Sequence, residues 1–202
     1  MVSLRFLALA LLPACAFDSG GGAGADAAVA DATRIDGGAV DSGPAGLALT
    51  SSLLEDGGSF AAPQTCNGAN SSPDLAWSGA PEGTASFAVF LVDTSYDDYG
   101  HWAIWDISAE ATGLPAAVAN VADPETPAGA HQAISYNEVT FGYLGPCPQP
   151  ERAHFYRFSV LALDIATLPG VDSESSIAEV LAAAGPHTLA EGALMASYAK
   201  RR

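Results

Sequence analysis

Apolar positions along this chain fall into three regimes. Phe6 to Leu12 is an unbroken run of seven apolar residues. Residues 16–46 hold Ala, Gly, Asp and Ser with almost no large apolar side chain. From Leu47 onward, blocks of strand-like and helix-like patterning alternate with stretches rich in Gly and Pro. Ser86 to Asp93 (SFAVFLVD) is almost wholly apolar and rich in Phe and Val, the pattern of a strand buried on both faces. His101 to Ile107 (HWAIWDI) reads as an aromatic, β-branched strand. His154 to Leu163 (HFYRFSVLAL) reads as a long strand. Its side chains alternate, so His154, Tyr156, Phe158 and Val160 share one face, and Phe155, Arg157, Ser159 and Leu161 the other. His154 and Tyr156 then lie about 7 Å apart along the strand.

Two later stretches read as helical. Ser176 and Glu179 have the spacing of a capping box. Ile177, Val180, Leu181 and Ala184 recur at helical spacing, and Gly185-Pro186 ends the run. His187 to Tyr198 is expected to form a second short helix, or a helix leading into a final strand. Glu110 to Cys147, rich in Pro and Gly, reads as long loops, and such loops in a compact domain usually carry function.

The N-terminal run is too short to span a bilayer and, with Arg5 before it, reads as the core of a signal peptide covering residues 1–15. It ends in Leu12-Pro13-Ala14-Cys15, which resembles a lipobox with Pro13 out of place. Cys15 is therefore the expected lipidation site of a bacterial envelope lipoprotein, and a plain secretory signal is the alternative. Residues 16–46 cannot bury enough surface to offset their chain entropy and are expected to be a disordered tether. Residues 47–202 are the folded domain.

Composition narrows the partners. Hydrophobic residues make up 49% of the 202 and charged residues only 15%, with Gly 21 and Pro 13. That balance favours a loop-rich β fold over a helical bundle. The net charge is −16. Of the seven Lys and Arg, only Arg152 and Arg157 fall inside the domain away from the C-terminus. No basic patch can be built, which argues against nucleic acid and against docking onto an anionic membrane face. Any membrane attachment is expected through the lipid on Cys15. If Cys15 is acylated, Cys66 and Cys147 remain as a pair. In an oxidising compartment such a pair is usually bonded, worth about 4–5 kcal/mol by chain entropy. Two free buried thiols are the alternative. No CxxC or HxxxH supports a metal site, and no cofactor is expected.

The remaining motifs belong together. They are Asn70-Ser71-Ser72-Pro73-Asp74-Leu75-Ala76-Trp77, Gly79-Ala80-Pro81-Glu82-Gly83-Thr84 with Ser86-Phe87, Asp93, His101-Trp102, Tyr143-Leu144-Gly145-Pro146-Cys147-Pro148, and His154 with Tyr156. Their order and spacing resemble the phosphatidylethanolamine-binding protein family, also called Raf kinase inhibitor-like proteins, in its bacterial branch. The resemblance covers residues 47 to 200. It implies a mainly β fold, a sandwich of two packed sheets with a few peripheral C-terminal helices. It also implies an anion pocket at Asp93, His101, Gly145, Pro146, His154 and Tyr156.

The sequence departs from the family at three places. The DPDxP segment reads Asp93-Thr94-Ser95-Tyr96-Asp97, so Asp97 or Asp98 must replace the second Asp if anything does. GPCPP reads Gly145-Pro146-Cys147-Pro148-Gln149. HRY reads His154-Phe155-Tyr156, and the lost Arg would face away from His154.

The pocket chemistry is coherent on the residues alone. A protonated imidazole donates two hydrogen bonds and adds charge, and a carboxylate beside it favours that form. A Tyr hydroxyl and the backbone N–H groups of a Gly loop add donors, although Pro146 and Pro148 have none to give. The bland alternative is that each histidine is a hydrogen-bonded structural residue, which is the reading for His131 and His187. Trp77, Trp102 and Trp105 read as core or pocket wall. The expected function is therefore non-enzymatic binding of a small anion, such as a phosphate or a phospholipid head group. The alternative is an envelope protein that inhibits a protease or kinase through a protein surface. A hydrolase built on Asp93, His101 and Ser95 is disfavoured, because no Gly-x-Ser-x-Gly elbow is present.

Overall fold

A computed structural model describes residues 46–200. The signal segment, the lipidation site Cys15 and nearly all of the expected tether lie outside the described residues. Among the described residues nine strands form two sheets. The smaller joins β1 (Ala48–Thr50), β3 (Leu75–Ser78) and β6 (Gly113–Leu114) in the order β1-β3-β6. The larger contains β2 (Gly58–Ser59), β4 (Ser86–Asp93), β5 (Tyr99–Ser108), β7 (His131–Gln132), β8 (Ala153–Leu163) and β9 (Thr188–Ala199), in the order β2-β9-β8-β4-β5-β7. One α-helix, α1 (Ile177–Ala184), packs outside it. Among the described residues no helix is long and apolar enough to cross a membrane.

The two-residue period of the strands sorts the core into two layers. Phe87, Val89 and Leu91 of β4 join Phe158 and Val160 of β8 and meet Leu49, Leu75, Trp77 and Leu114 of the small sheet. The Trp77 and Phe87 rings, 5.2 Å apart, bridge the sheets. Ala88 and Phe90 of β4 face the other way, with Leu161 and Leu163, and are covered by Ile177, Val180 and Ala184 of α1. So β4, central in the sheet, is buried along its whole length, as its unbroken apolar run predicts. The helix begins as expected. Ser176 accepts from the Glu179 amide, and the Glu179 carboxylate accepts from the Ser176 amide.

The second C-terminal helix does not form. Residues 188–199 are β9, preceded by a 3-10 turn, Gly185–His187. The Ala-rich run favours helix locally, but β8 has an open edge beside it. β9 pairs antiparallel with that edge from Ala153↔Ala199 to Leu163↔Thr188, and its alternate residues Leu194 and Ala196 enter the core. Gly192 suits this ladder because a Cβ there would come within 2.5 Å of the Leu47 carbonyl.

The 110–147 region is loop-rich, as expected, and the buried Gln132 side chain is one of those that hold it. Gln132 donates to the carbonyls of Ala119 and Val121 and accepts from the Trp102 indole N–H at 2.7 Å. Cys66 and Cys147 are joined by a disulfide with their Cα atoms 5.4 Å apart. It ties the end of this region to the turn after the 3-10 helix Ala62–Gln64.

Candidate functional site

Asp93 is the last residue of β4 and lies opposite Tyr156 of β8 on one side and Tyr99 of β5 on the other. Two residues before Tyr156, His154 is on the same face, as the alternation predicts. His154 Nδ1 stands 2.6 Å from Asp93 Oδ2. A carboxylate only accepts, so Nδ1 carries the proton and Nε2 of neutral His154 is the acceptor nitrogen. The other Asp93 oxygen accepts from the Ser95 amide at 2.9 Å, and the Ser95 hydroxyl accepts from the Phe155 amide. The rewritten loop after Asp93 thus closes back onto β8 through its own short polar residues.

His101 reaches the same place by a different route. Leu91 pairs with Trp102 and Val92 with Gly100, so His101 is the extra residue of a β-bulge. In regular alternation His101 and Trp102 would face opposite ways. The bulge turns the His101 ring to Tyr156, 5.2 Å away and edge-on, on the side of the sheet that holds Trp102. Both histidines therefore flank Tyr156, whose ring lies 6.4 Å from that of His154. His101 Nδ1 donates to the Leu144 carbonyl at 2.8 Å, and the Leu144 amide donates back to the His101 carbonyl. That carbonyl fixes the tautomer, so neutral His101 presents Nε2 as an acceptor.

Electrostatics follow burial. His101 is held below its ordinary value of 6.5, chiefly by desolvation, which the Leu144 hydrogen bond and the Asp93 charge oppose. Burial pushes the Tyr156 hydroxyl well above the usual phenol range, and the Asp93 charge and hydrogen bond add to it. Near neutral pH the buried part of the site therefore holds a neutral His101, a protonated Tyr156 and Asp93.

The Gly145-Pro146 segment is also here. The Gly145 amide donates to Asn70 Oδ1 at 2.8 Å, so it is already engaged and does not stand open to an anion. The Pro146 carbonyl accepts from the Cys66 amide. Gly145 is needed for close approach, since a Cβ there would lie 2.1 Å from the Gln64 carbonyl. These two residues hold Leu144, and through it His101, in place. Asp97 and Asp98 do not join the histidines. They line an adjacent groove.

Sequence reasoning missed two side chains. The Tyr136 ring lies 4.9 Å from His101, and the Tyr99 ring 6.4 Å. His131 and His187 sit elsewhere, each paired with a surface aspartate, Asp123 and Asp164.

A similar fold is found in a known protein. The chain is 40% identical over 116 residues to the UPF0098 protein YbcL of Escherichia coli, covering 55% of this chain and 62% of that one. The chain thus spans less than two thirds of that relative. The crystal structure of YbcL, described as a member of the mammalian PEBP family, superposes with a TM-score of 0.68 at 30% identity, covering 78% of this chain and all of that one. A UPF0098 protein of Methanothermobacter thermautotrophicus is 36% identical over 154 residues, 74% of this chain and 97% of the other. LppC of Mycobacterium tuberculosis, whose name carries the word lipoprotein, is 33% identical over 174 residues, 79% of this chain and 81% of its own. A sequence model of the phosphatidylethanolamine-binding protein family matches residues 50–199, and the chain belongs to that family.

Proposed function

We propose that Asp93, His101, His154 and Tyr156 form a non-enzymatic binding pocket for a small anion, such as a phosphate-bearing head group, and that binding brings in a proton. The observation that carries this reading is the tautomer of His101. Its Nδ1 proton is committed to Leu144, so Nε2 faces a ligand as an acceptor until it is protonated. An anion gains a donor and a positive charge there only when His101 is protonated. A phosphate monoester carrying one proton can instead donate that proton in a hydrogen bond to neutral Nε2. Asp93 disfavours a fully ionised dianion by like charge. A binding role rather than turnover is supported by the serine nearest Asp93. The Ser95 hydroxyl accepts from a backbone amide, and among the described residues no hydroxyl or thiol is hydrogen-bonded to either histidine. The envelope location and the lipid on Cys15 belong to the same proposal, supported by the LppC name and the Cys66–Cys147 disulfide.

The test follows the imidazole resonances of His101 and His154 during titration with acetate, which does not itself titrate between pH 5.5 and 7.5, and with inorganic phosphate. Both resonances are expected to move. The acetate affinity should rise as pH falls, by at most about tenfold per unit for one proton taken up. Unmoved resonances at about 10 mM of either anion, well above ordinary pocket affinities, would refute the pocket. Metabolic labelling with an alkyne fatty acid, lost in Cys15→Ala, tests the anchor.

A further inference from the structure

Beyond the Tyr136 ring, and distinct from the histidine pocket, lies an apolar groove of about 620 Å³. Its floor is where α1 meets β5. Gly100 lets the helix come close, since a Cβ there would lie 2.6 Å from Ile177 Cγ2. Ile134, Ile177 and Ala178 supply the aliphatic surface, and Tyr99 and Tyr136 form an aromatic wall with their rings 5.1 Å apart. The wall is open to solvent, with Tyr99 42% and Tyr136 37% exposed. Tyr96, 62% exposed, extends the row, its ring 5.7 Å from that of Tyr99. An exposed aromatic row against an aliphatic floor is the composition of an interaction surface.

The rim decides the occupant. Asp97, Asp98, Glu138 and Glu174 stand around the groove, and among the described residues none of them makes a salt bridge with Lys or Arg. A second copy of this chain, at net charge −16, and an anionic bilayer would both be repelled. A small inorganic cation would leave the tyrosines, Ile134 and Ala178 uncovered. A basic side chain satisfies both parts. Its aliphatic stem covers Ile134 and Ala178, and its charged head meets the tyrosine faces and the carboxylates. We propose that this groove docks a partner polypeptide through a lysine or arginine flanked by apolar residues. The proposal does not depend on the anion reading, since it uses neither Asp93 nor His154.

The experiment uses the full chain and a fluorescent, acetylated and amidated Ala-Leu-Arg-Leu-Lys-Ala peptide, with its Gln-for-Arg and Gln-for-Lys counterpart. Fluorescence anisotropy is read at low and moderate salt, and backbone amide shifts map the site. The basic peptide is expected to bind at least about tenfold more tightly than the neutral one, less so as salt screens the rim. The shifts should centre on Tyr99, Tyr136 and Ile177. Asp97→Asn/Asp98→Asn should weaken binding by about fivefold or more, whereas Glu82→Gln/Glu125→Gln, which removes the same charge elsewhere, should change it by less than about twofold. Equal loss in the two double variants would overturn the proposal, as would shifts spread over the surface. So would groove shifts on raising protein concentration without peptide, or on adding phosphatidylcholine vesicles, since these would identify another copy or a lipid surface as the occupant. Failure here with acetate and phosphate still shifting the histidines would leave the anion pocket standing.

Discussion

Among the described residues three histidine–aspartate pairs have nearly the same geometry. His154–Asp93 and His131–Asp123 are both 2.6 Å, and His187–Asp164 is 2.9 Å. Their surroundings differ. The Asp93 side chain is 6% exposed, against 73% for Asp123 and 51% for Asp164. At Asp93 the Ser95 amide and the His154 imidazole converge on one buried carboxylate, with the Tyr156 ring beside His154 and a second histidine across that ring. At the surface, water competes for every partner. A short distance therefore does not make a site. Burial and the number of groups sharing the charge do.

The largest test of this contrast removes what holds the buried side together. The disulfide closes a sequence separation of 81 residues and anchors the segment that grips His101. Its reduction, or Cys66→Ala/Cys147→Ala, should cost about 4 kcal/mol in urea unfolding on the chain-entropy scale. It should broaden the His101 resonance while leaving that of His131 sharp. Next, Asp93→Ala strips the Ser95 amide and the His154 imidazole of their shared acceptor and should cost about 2–3 kcal/mol in the same assay. The surface equivalent, Asp123→Ala, should cost less than about 0.5–1 kcal/mol. Comparable losses at the two aspartates would erase the distinction.

A smaller effect separates the pair residues from His101. Because His101 is held below 6.5 in the fold, the unfolded chain binds the extra proton first. Its contribution is therefore complete above pH 6.5 and is lost as pH falls from there through the folded value. His101→Gln should flatten that part of the stability–pH curve. Anion affinity should move the opposite way, rising over the same range. Smallest of all, His187→Ala should shift the thermal midpoint by no more than about 2 °C, since its partner is half in water.

Legibility followed the range of each signal. β4 and β8 could be read because an apolar run and a two-residue alternation are local. α1 could be read because its capping box spans four residues. His154 and Tyr156 shared a predictable face for the same reason, whereas Asp93 joins them only through the pairing of β4 with β8. The face of His101 was not readable, since a bulge depends on how β5 pairs with β4. Nor was the engagement of the Gly145 amide, whose acceptor Asn70 lies 75 residues earlier. β9 was misjudged because its small residues tolerate helix in isolation. The unpaired edge of β8, formed by a distant part of the chain, drew it into the sheet.

The sequence by itself determined the class of the fold, the family motifs, the acidic balance of the chain, and the residue types of the candidate site. Those properties are carried by composition and by short-range periodicity. The tertiary structure alone decided which nitrogen of His101 and of His154 is hydrogen-bonded, which carboxylate is buried, and that Tyr136 stands between His101 and an acid-rimmed groove. Each of these depends on contacts between segments far apart in the chain. Only folding sets the distance, burial and charge neighbours that turn donors and acceptors into a site.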